Sequence, residues 1–300
     1  MLKRHRSLPQ GLAIASQSPE FWRRMAPDLT ISDSHPRLAG DRPLRDIETE
    51  RMRLRNDGFL HLADGPRSGD LQRIANAMSR IVRAGLPAAF IGVYDEVWSL
   101  VAQNSALIAG IFEGNGAMVP NFWASHSATN AGLAAMRRRP GNGIFTNGSP
   151  SNITVWIPVT DATPENGCIY VVPAGQDRNY GKSGAPRADA SLSGIRALPA
   201  KAGDMLIWSG ETYHWQGRPE RTRGGAALLS LTWEFQSRDI PPLEGALVDS
   251  FPFVPFETRL GLLAHQMPNH RHDLSPNPVW RAVQQTLSNR FPMVATAGRA

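Results

Sequence analysis

The sequence predicts a mostly β protein with flanking helices, on three observations. Short β-branched or aromatic runs crowd the stretch from Ala117 to Gln236, with turn signals between them. Windows with apolar residues at helical spacing stand on either side of that stretch. The hydrophobic fraction is 41% and the charged fraction 19%, with eight tryptophans, which is enough apolar material to bury a core. Several short strands at close spacing argue for a sandwich or barrel.

Residues 1–45 are rich in proline, serine and arginine, with a short helix expected at Pro19–Met25 behind Ser18 as its cap. Helical spacing follows from Leu44 to Asn56. It returns from Asp70 to Ala84, where Leu71, Ile74, Met78, Ile81 and Val82 form one apolar face. The run DEVWSLVAQNSALIAGIF at 95–112 reads as one further helix. The strands expected next are NITVWIPV (152–159), CIYVVP (168–173), GIRALP (194–199), DMLIW (204–208) and AALLSLTWEF (226–235). Asn-Gly, Pro-Glu-Asn-Gly and Ala-Gly-Asp signals separate them. After Phe251, ETRLGLLAHQM and VWRAVQQTLSNRF restore helical periodicity. A chain of 300 residues can bury one large core, so a single domain over 1–300 is expected. Its parts are an N-terminal extension (1–45), a β core (90–240) and a helical C-terminal extension (250–300).

No apolar run approaches the ~20 residues that cross a bilayer, and MLKRHRSLPQ leads into no signal-peptide core, so a cytoplasmic protein is expected. Cys168 is the only cysteine, which excludes an intramolecular disulfide and a cysteine-rich zinc site. A metal would need histidine or carboxylate ligands. The net charge of +6 is largely arginine, with Arg137, Arg138 and Arg139 in a row. Such residues either form a solvated loop or steer an anionic small molecule. No aromatic-plus-basic platform for single-stranded nucleic acid stands out, and there is no phosphate loop and no Gly-x-Ser-x-Gly nucleophile. NHRHD (269–273) reads as a solvated loop between tail helices. Cys168 reads as a small buried residue, and a homodimer through the terminal helices is an expectation.

The runs ITVWIPVTDATPENGCIYVVPAGQD (153–177) and ALPAKAGDMLIWSGETYHWQGRP (197–219) resemble the phytanoyl-CoA dioxygenase-like branch of the iron(II)/2-oxoglutarate oxygenases. The resemblance is carried by a tryptophan strand, a Pro-Glu-Asn-Gly turn, a Val-Val-Pro strand, and Gly-Asp before a strand that ends in histidine. It covers about 90–240, including YDEVW and VPNFWASH. It implies a double-stranded β-helix, the cupin-like jelly roll. It also implies iron(II) held by two histidines and one carboxylate, with open positions for 2-oxoglutarate and O2.

On that resemblance His214 takes the place of the family's second histidine. His126-Ser127-Ala128 takes the place of His-x-Asp, with Ala128 where the carboxylate belongs. An alanine there is the halogenase arrangement, in which chloride enters the open coordination site. A second register, with a shorter loop before Trp156, puts Met136 and Arg138 at the two front positions and removes both ligands. Arg223, with Arg221 as neighbour, is the candidate anchor of 2-oxoglutarate, supported by Trp156 and Thr154. Arg138 and Asn121 are candidates for the substrate, a free metabolite, hydroxylated or halogenated. The alternative is metal-free reuse of the barrel, for a non-redox reaction or for ligand binding. His214 and the arginines would form its centre, with Glu211 or Tyr213 as helpers.

Overall fold

The computed structural model describes residues 11–32, 46–63, 68–126, 143–145, 147–182, 188–219, 227–249, 251–270 and 278–291. A helical turn over residues 11–15 (α1) leads into α2 (Pro19–Met25). The Ser18 hydroxyl accepts the backbone N–H of Glu20, as the cap signal predicts. Helix α3 (Ile47–Asp57) is capped by Asp46 and ends at Gly58, whose φ of 80° lies in the left-handed region. Strand β1 (Phe59–Leu62) and helix α4 (Ser68–Arg83) follow. A 3-10 helix spans Ala88–Val93.

The single helix expected over 95–112 is broken into α5 (Asp95–Ala102) and α6 (Ser105–Ile111). Asn104 makes the break. Its amide side chain donates to the Leu100 carbonyl, and its own carbonyl accepts Ile108 N–H to start the second helix.

The remaining strands are β2 (Gly116–His126), β3 (Asn152–Pro158), β4 (Ile169–Val172), β5 (Arg196–Leu198), β6 (Met205–Ser209), β7 (Tyr213–Gln216) and β8 (Leu229–Ser237). Helices α7 (Phe256–Gln266) and α8 (Pro278–Arg290) close the described chain. Among the described residues the strands form a five-stranded sheet, ordered β1-β6-β3-β8-β2, and a three-stranded sheet, ordered β5-β4-β7. Every pairing is antiparallel, as the expected mostly β, jelly-roll class requires, and the sheets do not close into a barrel.

Alternation along the central strand sorts the core into two layers. Ile153, Val155 and Ile157 of β3 join the main core, together with Phe90, Val97 and Leu260 of the helical layer. Trp156 faces the other way, into a second cluster with Ile169, Val171, Leu198, Leu206 and Trp208 that fills the space between the two sheets. The Pro-Glu-Asn-Gly turn is turn chemistry, as read from the sequence. The Asn166 side chain accepts Thr163 N–H at 2.8 Å and donates to the Asp161 carbonyl at 2.8 Å, while Gly167 takes φ 96°. No helix among the described residues is long and apolar enough to cross a membrane.

Candidate functional site

The strand that the sequence carries through LIWSGETYH is cut at Ser209. Residues 210–212 turn the chain out of the five-stranded sheet, and β7 pairs with β4 in the other sheet. His214 therefore lies opposite Val171, whose side chain is part of the inter-sheet cluster. Its imidazole meets the Trp208 ring across the gap, with centroids 4.7 Å apart and planes at 45°.

Three contacts hold the turn. Ser209 N–H donates to the Gly58 carbonyl at 3.0 Å, the Thr212 hydroxyl donates to the same carbonyl at 2.6 Å, and Glu211 N–H donates to the Ser209 hydroxyl at 3.2 Å. A Cβ on Gly58 would sit 2.8 Å from the Thr212 hydroxyl oxygen, so the close approach and the positive φ both call for glycine. The buried Glu211 side chain lies over Gly143, where a Cβ would fall 2.0 Å from the carboxylate oxygen.

The Nδ1 atom of His214 lies 2.8 Å from the Thr212 carbonyl oxygen. A carbonyl only accepts, so Nδ1 carries the hydrogen and the lone pair of the neutral ring sits on Nε2. That tautomer suits a metal ligand and equally a general base.

Thr154 and Trp156 lie on the same inner face. Thr154 is flanked by Trp208 on one side and Glu234 on the other, and Trp156 by Leu206 and Thr232. Both expected cosubstrate residues are thus on the wall that carries Trp208. The structure adds what sequence reading passed over. Trp208 itself is a wall of the site, and Arg196 shares the inner row of the small sheet with Val171 and His214. The only sequence signal for Trp208 was its place in the strand leading to the histidine.

His126 falls elsewhere, which corrects the expected iron-binding pair. It ends β2 opposite Leu229, and Ala124 stands opposite Leu231. Leu229, Leu231 and Ala124 all belong to the helix-covered core. His126 and His214 are consequently on opposite faces of the five-stranded sheet. Ligand nitrogens of one ion lie about 2 Å from it, which residues separated by the sheet backbone do not satisfy. Burial also pushes the His126 imidazole below its ordinary pKa.

Asn121 sits in the irregular stretch of β2 between Met118 and Phe122, where the register with β8 shifts. Ala128, Arg138 and Arg223, with Arg137, Arg139 and Arg221, lie outside the described residues. Among the described residues no group of three or more His, Cys, Asp or Glu is placed to hold a metal ion. The ligand set implied for iron is therefore not assembled from the described residues alone.

Three other sequence features resolve, wholly or in part, as structure. Asp204 of the Gly-Asp pair lies 2.9 Å from His61 Nε2 and accepts Lys201 N–H at 2.9 Å, closing the turn before β6. Cys168 is buried, and burial pushes its thiol up to about 11. In NHRHD, the His270 ring stacks on Trp123 at 3.9 Å, while residues 271–273 lie outside the described set.

Comparison with known proteins agrees with this frame. The family model for phytanoyl-CoA dioxygenase matches residues 140–224. The non-heme monooxygenase ThoJ, in its apo form, is similar at 14% identity and a TM-score of 0.50, over 80% of this chain and 99% of that one. The epimerase SnoN, solved with Fe3+, alpha ketoglutarate and nogalamycin RO, is similar at 17% identity and a TM-score of 0.48, over 69% and 96%. HygX from Streptomyces hygroscopicus, with nickel and 2-oxoglutarate bound, is similar at 13% identity and a TM-score of 0.46, over 67% and 89%. No curated protein matches the chain. The chain thus matches the phytanoyl-CoA dioxygenase family model over residues 140–224, on an antiparallel jelly-roll frame of two unclosed sheets with flanking helices.

Proposed function

We propose that the chain is a small-molecule-tailoring enzyme of the non-heme oxygenase type, acting between the two sheets around His214. One observation carries the reading. The family match covers the segment that delivers His214 to the inter-sheet face, as the Nδ1–H tautomer that leaves Nε2 basic. Iron(II) and 2-oxoglutarate are the cofactors that this family supports, and iron would supply the oxidative chemistry. His214 is the described residue suited to hold it. His126 is not its partner, and other protein ligands would come from residues outside the described set. The reaction proposed is hydroxylation or halogenation of a free metabolite.

This chain's own contribution is positional. The turn stapled to Gly58 fixes the imidazole, Trp208 backs it, and Thr154 and Trp156 form the facing wall. The buried inter-sheet cluster keeps bulk water from that wall.

A second reading is a metal-free site in which Nε2 of His214 acts as acid or base, since the Nδ1–H tautomer leaves the lone pair on Nε2. Anaerobic iron(II) titration of metal-stripped protein, with and without 2-oxoglutarate, separates the two. The oxygenase reading expects a weak visible charge-transfer band at one iron per chain, lost in His214→Ala. A folded protein without the band, or an unchanged band in His214→Ala, refutes it.

A further inference from the structure

The proposed function leaves the buried indole N–H of Trp208 unexplained. Trp208 is 3% exposed, and its indole N–H has no hydrogen-bond partner among the described residues. A buried donor without an acceptor is costly, and native structures rarely keep one without a reason. Trp233 has an orphaned indole as well, but it lies in the apolar core beneath the helices, so an orphaned indole alone marks no site. Trp208 differs in its neighbours. Its ring touches His214, it stands beside Thr154, and it faces the opposing sheet.

A second observation comes from that opposing sheet. Arg196, Val171 and His214 occupy one row of adjacent strands, and Leu198, two residues along β5, points into the inter-sheet cluster. Period two puts Arg196 on the same side as Leu198. Arg196 is exposed, and its guanidinium makes no hydrogen bond or ion pair among the described residues. Among the described residues, a buried unsatisfied donor and an unpaired cation thus bracket His214, one on each sheet.

We propose that the Trp208 indole N–H and the Arg196 guanidinium form a subsite for a carboxylate of the bound ligand, held beside His214. This deepens the reading of the His214 site and rests on it for the meaning of the ligand. A carboxylate offers the acceptor that Trp208 lacks and the charge that Arg196 lacks, whereas a neutral amide satisfies only the first. The carboxylate belongs either to the tailored metabolite or to a 2-oxo acid.

The test uses the full chain without added iron, labelled with 15N at its eight indole nitrogens. The spectrum of Trp208→Phe identifies the Trp208 resonance. Titration with succinate is expected to move that resonance downfield and saturate, and titration with succinamide to leave it in place. Trp208→Phe and Arg196→Gln should each weaken succinate binding roughly tenfold or more, the usual worth of a hydrogen bond to a charged group. Arg196 is exposed, so its variant is a fair test even where Trp208→Phe folds poorly. Any one of three results overturns the subsite: a Trp208 resonance unmoved by succinate, an equal response to succinamide, or wild-type succinate affinity in Arg196→Gln.

Repeating the titration with 2-oxoglutarate already bound assigns the source. A persisting succinate response gives the subsite to the metabolite, and a lost one gives it to the 2-oxo acid. Because no iron is present, failure of iron binding refutes the oxygenase reading and leaves this result standing.

Discussion

Replacing Arg259 by methionine should cost about 3–5 kcal/mol of folding stability, the usual price of stripping one partner from a buried ion pair. Arg259 is 4% exposed and Asp95 2%, so neither charge has water to fall back on. The guanidinium donates to Asp95 Oδ1 at 2.6 Å, to the Val93 carbonyl at 2.9 Å and to the Val254 carbonyl at 2.7 Å. It thereby ties α7 to the 3-10 helix and to the first turn of α5. The second oxygen of Asp95 accepts Ser32 N–H at 2.8 Å, which anchors the N-terminal segment at the same point.

Methionine restores much of the volume but leaves a buried carboxylate with Ser32 as its remaining donor, and two carbonyls short of a partner. Replacing both residues, as Asp95→Leu with Arg259→Met, removes the uncompensated charge. That double variant should lie closer to wild type than the single one, because apolar pairs commonly substitute for buried ion pairs at little cost. Urea denaturation followed by tryptophan fluorescence, with equal slopes across the series, measures both numbers. A loss below about 1 kcal/mol in Arg259→Met would refute the reasoning, since that is the scale of an ordinary hydrogen bond. So would a double variant less stable than Arg259→Met.

Thr212→Val keeps the shape of the turn and removes the hydroxyl that donates to Gly58, whose carbonyl still accepts Ser209 N–H. Urea denaturation should show a loss of about 1 kcal/mol, and iron(II) affinity should fall with the looser imidazole; a variant that binds iron as wild type does would remove Thr212 from the positioning of His214. Gly58→Ala combines a positive φ with a Cβ 2.8 Å from the Thr212 oxygen, so it should destabilise by more than the ~1 kcal/mol of a left-handed residue alone. A midpoint shift smaller than that of Thr212→Val would show that the turn yields easily. Cys168, with its thiol at about 11, should resist iodoacetamide at pH 8 in the folded protein and react once urea unfolds it. Fast native alkylation, read by mass spectrometry, would mean that the inter-sheet cluster opens readily.

The strands from Asn152 to Ser237 were legible because their cause is local. Alternating apolar residues bury one face, and Pro-Glu-Asn-Gly bends the chain through its own side-chain bonds. The helices were legible for the same reason, down to the Ser18 cap, and the one over-long helix failed where Asn104 preferred the backbone of the preceding turn. Strand β1 was passed over because its four residues FLHL sit in the shadow of a longer helical pattern.

By itself, then, the sequence determined a mostly β core flanked by helices, the tryptophan strand and the single cysteine. Which histidines can meet was decided by tertiary structure alone. The face on which His126 lies depends on its pairing with Leu229 across β8, and on the irregular stretch between Met118 and Phe122 that sets this register. A strand slipped by one residue would send the same side chain to the opposite face. His214 depends likewise on a turn that carries it out of one sheet and into the other, held by a glycine more than 150 residues earlier in the chain. Register and sheet exchange are long-range choices made by packing, and period-two patterning carries no record of them.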